Sequence, residues 1–276
     1  MSPATLSRRL RHLGISLFIA LLVACATSPT GRSQLMLVSE GQAIAAAKVA
    51  YQQTLQELGK AGKLSRDKAL NQRVQRITDR LIQQAILLRP ETRAWDWQIE
   101  VIDDPKTVNA WCMAGGRMAI YTGLIEQLQA SDDELAQVLG HEIAHALAKH
   151  AAEQMSVAMA TALGMAAVGS MAEEHQQTAL ATAALAAKLA IQLPNSRTAE
   201  READRIGIEL AAKAGYDPRA AVSLWQKMAQ VGGSGGIPEF LSTHPSPANR
   251  EETLRRLVPK MQPYYEQARA SASLKK

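Results

Sequence analysis

The chain has 276 residues, with 31 Lys and Arg against 26 Asp and Glu, a formal net charge of +5. Three of the arginines (Arg8, Arg9, Arg11) lie in the first 24 residues, which hold no acid, so the remaining 252 residues carry 28 basic and 26 acidic side chains, a net +2. That near-balance argues against nucleic acid as a partner, and two cysteines are too few for a disulfide scaffold.

In chain order, the basic start is followed by an apolar run from Leu13 to Ala24. Twelve residues fall short of the roughly 20 needed to span a bilayer, so the run reads as a signal-peptide core. It ends in Leu22-Val23-Ala24-Cys25, which resembles a bacterial lipobox. The expectation is cleavage before Cys25 and lipidation of its thiol, with Ala26 resembling the choice for outer-membrane sorting. Lipidation would leave Cys112 alone, as a small apolar residue in a strand; a Cys25–Cys112 disulfide is the competing reading, incompatible with it, and lipidation is favoured. Residues 27–33 read as a tether. Helices are expected at 40–59 and 66–88, the second burying Leu70, Val74, Ile77 and Leu81. Its Arg73, Arg76 and Arg80 read as a solvated face, or as a contact for anionic lipid. Trp95 to Ile102 alternates like a strand, and 108–114 with 117–122 form a hairpin around Gly115-Gly116.

Ser131-Asp132-Asp133-Glu134 is a capping box opening a helix over 131–150. Within it stands His141-Glu142-Ile143-Ala144-His145, the pattern H-E-x-x-H. Residues four apart on a helix are separated by about 40°, so both imidazoles face one way and suit a Zn²⁺ ion. Glu142 falls beside that face, where a general base for the attacking water stands. It is the only formal charge between Leu135 and Ala148. A lone buried carboxylate is costly unless a cation offsets it. Gly140 lets another backbone pass close to the first histidine. His150 lies about 140° from His145 on one continuous helix and cannot reach the same ion.

The uncharged stretch from Met155 to Ala172 is too weakly apolar to insert well, and 155–192 reads as an Ala-rich helical pair over the site or touching the membrane surface. The next helix, 198–214, stops at Gly215. Arg201, Glu202, Arg205 and Glu209 share its charged side, and Glu202 and Glu209 read as solvated and salt-bridged. Glu200 and Asp204 fall among Ala199, Ala203, Ile206 and Gly207, one turn apart and facing inward. Glu200 is then the third zinc ligand, and Asp204 an acceptor holding a ligand histidine by its far nitrogen. A helix at 218–230 follows, then a flexible loop at Gly232–Gly236 and a last helix at 247–257. The tail from Gln262 reads as loose.

H-E-x-x-H followed by E-x-x-x-D, within Ser196-Arg-Thr-Ala-Glu200-Arg-Glu-Ala-Asp204-Arg-Ile-Gly207, resembles the HtpX and CAAX-prenyl-protease family of gluzincin metallopeptidases. Asn109-Ala110, Gly115-Gly116, Ile120–Leu124, Gly215–Pro218 and Thr243-His244-Pro245 add to the resemblance, which covers roughly residues 35–255 and is nearest the family's periplasmic lipoprotein members. The resemblance implies one Zn²⁺ per chain on His141, His145 and Glu200, with Glu142 as base and Asp204 in support. It implies an α+β, mainly helical, zincin-like domain with a small hairpin sheet beside the H-E-x-x-H helix.

The expected divisions are a leader at 1–24, a lipidated N-terminus and tether at 25–36, a peptidase domain at 37–260 and a tail at 261–276. Substrate is expected to lie extended along Asn109, Ala110, Trp111 and Cys112. The expected partners are unfolded polypeptides, the membrane through a lipid anchor and outer-membrane assembly machinery, in the cell envelope facing the periplasm. Three roles are open to His244: donor to the oxyanion of the tetrahedral intermediate, a fourth ligand that blocks the metal, or a turn residue fixed between prolines. Two other functions fit the same residues, a zinc-stabilised chaperone and an inert structural lipoprotein.

Overall fold

The computed structural model describes residues 25–168, 195–235, 239–244 and 249–273. The expected leader and the second half of the Ala-rich pair lie outside them. An antiparallel hairpin, β1 (Cys25–Thr27) and β2 (Ser33–Leu35), comes first. Helix α1 (Glu40–Lys60) starts in a Ser39–Gln42 capping box, and α2 (Lys68–Leu88) at Asp67, whose carboxylate accepts from the amides of Ala69 and Leu70. The expected stripe of α2 is buried at Val74, Ile77 and Leu81, with Leu70 partly buried against the same core.

The sheet has three strands, β3 (Gln98–Ile102), β4 (Ala110–Met113) and β5 (Arg117–Tyr121), in the order β3-β5-β4. β5 runs parallel to β3 and antiparallel to β4, which leaves β4 at an edge. The β4–β5 turn needs glycine twice: Gly115 and Gly116 have φ of +84° and +81°, and a Cβ on Gly116 would lie 2.4 Å from the Trp97 ring. Strand alternation places Met118 and Ile120 in the main core and Ala119 against α1, beside Tyr51 and Trp111. One face of the sheet thus packs on α1 and the other on the central helices.

Those helices are α3 (Thr122–Gln127), α4 (Asp132–Leu147), α5 (His150–Val168), α6 (Arg197–Lys213), α7 (Ala220–Gly235), α8 (Glu239–Thr243) and α9 (Arg250–Ser273). In α4 every residue from Glu134 to Leu147 is buried, and both bonds of the Ser131–Glu134 capping box are present. This is a mainly α-helical, zincin-like domain, as the sequence implied. Among the described residues no helix is long and apolar enough to cross a membrane.

Four expectations are corrected. The H-E-x-x-H helix does not run on to residue 150; it ends at Leu147, and Lys149 turns with φ +59°. The last carbonyls of α4 are taken by distant side chains, Leu147 O by Arg89 and Ala148 O by Gln34, which compete with helix continuation. Gly232–Gly235 are helical rather than a loop. Glycine weakens a helix by about 1 kcal/mol without the clash proline brings, so these glycines do not end it. The tail from Gln262 is helical to Ser273, because Leu254 and Met261 of α9 bury against Ile208 and Ala212 of α6. Arg73 and Arg80 of α2 do not simply face solvent: Arg73 donates to Asp132 and to the Ala130 carbonyl, and Arg80 caps the Ala214 carbonyl and stacks on Tyr216.

Candidate metal centre

Two helices meet at the centre, and glycine lets them. A Cβ on Gly140 would fall 2.8 Å from the Gly207 carbonyl oxygen, and one on Gly207 would fall 2.8 Å from the His141 backbone. The close crossing of α4 and α6 brings Glu200 onto the histidine pair. Nε2 of His141 lies 3.0 Å from Nε2 of His145. Glu200 places Oε2 3.4 Å from His141 Nε2 and Oε1 3.4 Å from His145 Nε2. His244, just past α8, joins them: one ligand atom from each of the four residues lies within 4.8 Å of the others, and all four residues are buried.

The set fits a metal ion. Nitrogen and oxygen ligands about 2.0–2.1 Å from a tetrahedral ion stand about 3.3 Å apart, close to the spacings here. Oε1 of Glu200 and Oε1 of Glu142 are buried without a hydrogen-bond partner in the protein, which is costly for a carboxylate unless a cation faces it. Three helical ligands of the types His, His and Glu suit zinc among the divalent ions.

The outer nitrogens of both histidines are held. Asp204 Oδ1 accepts from His141 Nδ1 at 3.0 Å. His145 Nδ1 meets His150 Nδ1 at 2.8 Å, and His150 Nε2 meets Glu202 Oε2 at 3.1 Å. Reading outward from the carboxylate, His150 donates through Nε2 to Glu202 and accepts through Nδ1 from His145. Both ligand imidazoles therefore turn an unprotonated Nε2 toward the shared point when a metal is bound. Arg250, at the start of α9, donates to Glu200 Oε2 (3.1 Å) and Asp204 Oδ1 (2.6 Å), with its guanidinium 3.6 Å over the Trp225 ring.

Burial and these partners set the protonation. Desolvation pushes the Glu142 carboxyl up to about 8. Burial works against a charged His141, but its hydrogen bonds to Asp204 and Glu200 outweigh that and raise it to about 9. Burial lowers His145 to about 3 and takes His244 well below its ordinary value. Burial opposes the charge on Glu200, yet the imidazoles of His141 and His145 facing it hold its pKa below the carboxylate range.

His141, Glu142, His145, Glu200 and Asp204 are thus brought together where the sequence placed them. Two readings are corrected. Glu202 is ion-paired as expected, but buried rather than solvated, because Thr30 and Arg32 reach it from the N-terminal hairpin. His150 stays outside the ligand set, as expected, but not on one continuous helix: α4 breaks before it, and it turns back to hold His145 from behind. Arg250 was missed altogether: it lies 50 residues from Glu200 and no local pattern marks it. Of the expected substrate edge, Trp111 and Cys112 line a small cavity of about 50 Å³ with Glu142, His145, Gln154 and His244. Asn109 is buried and uses its side-chain oxygen on the Ala110 amide. Cys112 is a free thiol.

A model of peptidase family M48 matches residues 68–258, the span from α2 into the first turns of α9. The chain belongs to peptidase family M48. Named relatives are the mitochondrial metalloendopeptidase OMA1 of Bos taurus, 36% identical over 90% of this chain and 49% of the relative, and that of Saccharomyces cerevisiae, 35% identical over 64% and 51%. The beta-barrel assembly-enhancing protease of Escherichia coli is 31% identical over 56% of this chain and 33% of its own length. The chain spans about half the length of the OMA1 relatives it matches. The M48 match encloses all of the residues converging on the site, from His141 to Arg250, and leaves out the hairpin that reaches Glu202.

Proposed function

We propose that this chain is a zinc metalloendopeptidase with one zinc on His141, His145 and Glu200, acting on unfolded or misassembled polypeptides. What carries the reading is the convergence of these three side chains beside a buried Glu142 whose Oε1 lacks a partner. A zinc ion held there would supply Lewis acidity to the attacking water and to the scissile carbonyl. Glu142 accepts the proton of that water and delivers it to the leaving amine as the peptide C–N bond breaks, ending unchanged. Asp204 and His150 keep the ligand imidazoles oriented, and Arg250 balances the charge of the two acids on α6. β4 stands at an edge of the sheet, and an extended peptide would pair with its backbone near Ala110–Cys112.

His244 holds the resting form closed in this proposal. Its Nε2 is 3.3 Å from Glu142 Oε1, its Nδ1 is tied to the Phe240 carbonyl, and the cavity beside it has room for a water or two but not a peptide. Withdrawal of His244 would open the fourth position.

We place the protein in the bacterial cell envelope, attached through lipid on Cys25 and facing the periplasm, where damaged outer-membrane proteins are its substrates. The lipobox-like Leu22–Cys25 and the similarity to the beta-barrel assembly-enhancing protease of Escherichia coli support this. Radiolabelled palmitate should enter wild type and not Cys25→Ala; label in neither would remove the anchor. Glu142→Gln should keep one zinc per chain and lose casein cleavage by at least about 10³-fold, whereas His244→Ala should raise cleavage. Zinc-loaded protein that cuts no unfolded substrate, even as His244→Ala, would leave the chaperone reading in possession.

A further inference from the structure

The N-terminal hairpin lies outside the span matched to M48, yet its side chains end at the metal centre. Arg32 donates from Nε to Glu202 Oε2 at 2.9 Å, and from its two terminal nitrogens to both oxygens of Glu153 at 2.6 Å. Thr30 donates to the other oxygen of Glu202 at 2.5 Å, and Ser28 contacts Thr30 and the Arg32 amide. Gln34 is buried and donates to the Ala148 carbonyl and to Glu153, both at 2.8 Å. Its first contact lies at the break between α4 and α5, where Lys149 adopts the left-handed conformation uncommon for a residue with a side chain. That turn is what swings His150 back onto His145.

Three polar groups in the strap therefore fix the two things His150 depends on, its acceptor Glu202 and the turn that presents it. A surface tether has no need of such an arrangement. Hydrogen bonds to buried carboxylates are among the stronger ones, and Glu202 is buried at the point where the strap grips it.

We propose that residues 28–34 are a positioning strap for the metal centre: they set Glu202 and the Ala148–Lys149 turn, which set His150, which sets the His145 imidazole. The strap begins three residues after Cys25, so the segment that leads from the attachment point also orients a metal ligand. The proposal rests on the zinc-site reading and adds Arg32, Thr30, Gln34, His150 and Glu202 to it. Linkage makes the effect reciprocal: whatever factor strap docking contributes to zinc affinity, zinc returns to strap docking.

The test uses the full chain. Zinc affinity is measured by competition with a chromophoric chelator, and ligand geometry by the visible spectrum of the cobalt-substituted protein. Arg32→Ala with Thr30→Val, His150→Ala and Glu202→Ala should each weaken zinc by about 10-fold or more, the range for lost outer partners of metal ligands, and alter the cobalt bands. Glu202→Gln, which still accepts from His150, should recover most of the affinity. In wild type, zinc should slow hydrogen exchange of residues 28–34. Variants that lower melting temperature alone, with zinc affinity and cobalt spectrum as in wild type, would overturn the proposal, as would equal exchange of the strap with and without zinc. Should wild type bind neither zinc nor cobalt while His141→Ala behaves identically, the zinc-site reading itself fails, a result separable from loss of the strap effect alone.

Discussion

His141 and Glu142 are adjacent in sequence and opposed in charge preference. His141 is held protonated by Asp204 and Glu200 with a pKa of about 9, while burial keeps the Glu142 proton on up to about 8. A metal ion can take neither nitrogen nor carboxylate influence without displacing those protons. Near pH 7, zinc binding should therefore release about one to two protons, measurable by calorimetry in buffers of different ionisation enthalpy. The direction follows from His141: below pH 9 a proton must leave before Nε2 can ligate. Apparent affinity should thus rise toward pH 9 by about tenfold per pH unit for each proton released, and level off above it. A flat profile between pH 6 and 8 would contradict the assigned pair. Arg250 is the counterweight to Glu200 and Asp204. Arg250→Ala leaves two buried carboxylates with His141 alone as a cationic partner and should cost about 3–5 kcal/mol, read from the urea midpoint.

At the scale of elements, the crossing of α4 and α6 is the decisive contact. Alanine is the better helix former by about 1 kcal/mol, so Gly207→Ala would stabilise an isolated α6. In the protein its Cβ meets the His141 backbone at 2.8 Å, and backbone cannot rotate aside. Overpacking of about 1–3 kcal/mol should win, lowering the melting temperature and reducing zinc affinity together. Gly207→Ala that melts higher than wild type would mean the helices are free to part. The same crossing shows what could be read from residues alone. Period and capping gave α1, α2, α4 and α6, because each has a local stripe and a local cap. Glu200 and Asp204 were legible because their helix is amphipathic around them. Glu202 was not, since its burial comes from residues 30 and 32, about 170 positions away. The α4–α5 break was equally hidden: no glycine or proline marks it, and tertiary side chains take the carbonyls there. Arg250 has the same history, a partner fixed only by how α9 docks on α6.

Across the whole molecule, the proposed ligands, with His244 at the fourth position in the resting form, come from α4, α6 and the end of α8, three segments separated by about 55 and 44 residues of chain. An ion bound to all of them ties together the main core around Leu139, Ile143 and Ala203 and the smaller cluster that seats α9. Such a ligand binds the folded chain and not the unfolded one, so it stabilises by mass action. At free zinc 100-fold above the dissociation constant the gain is about 2.7 kcal/mol. For a domain of this size 1 kcal/mol shifts the melting temperature by about 2–4 °C, so chelation should lower it by roughly 5–10 °C. Glu142→Gln should keep the shift, since it removes the base and no ligand, whereas His141→Ala and Glu200→Ala should abolish it. The dependence should be logarithmic in free zinc, which separates a specific site from a nonspecific salt effect. A melting curve unmoved by chelator in wild type, with zinc content at one per chain beforehand, would show that the ion does not join these helices.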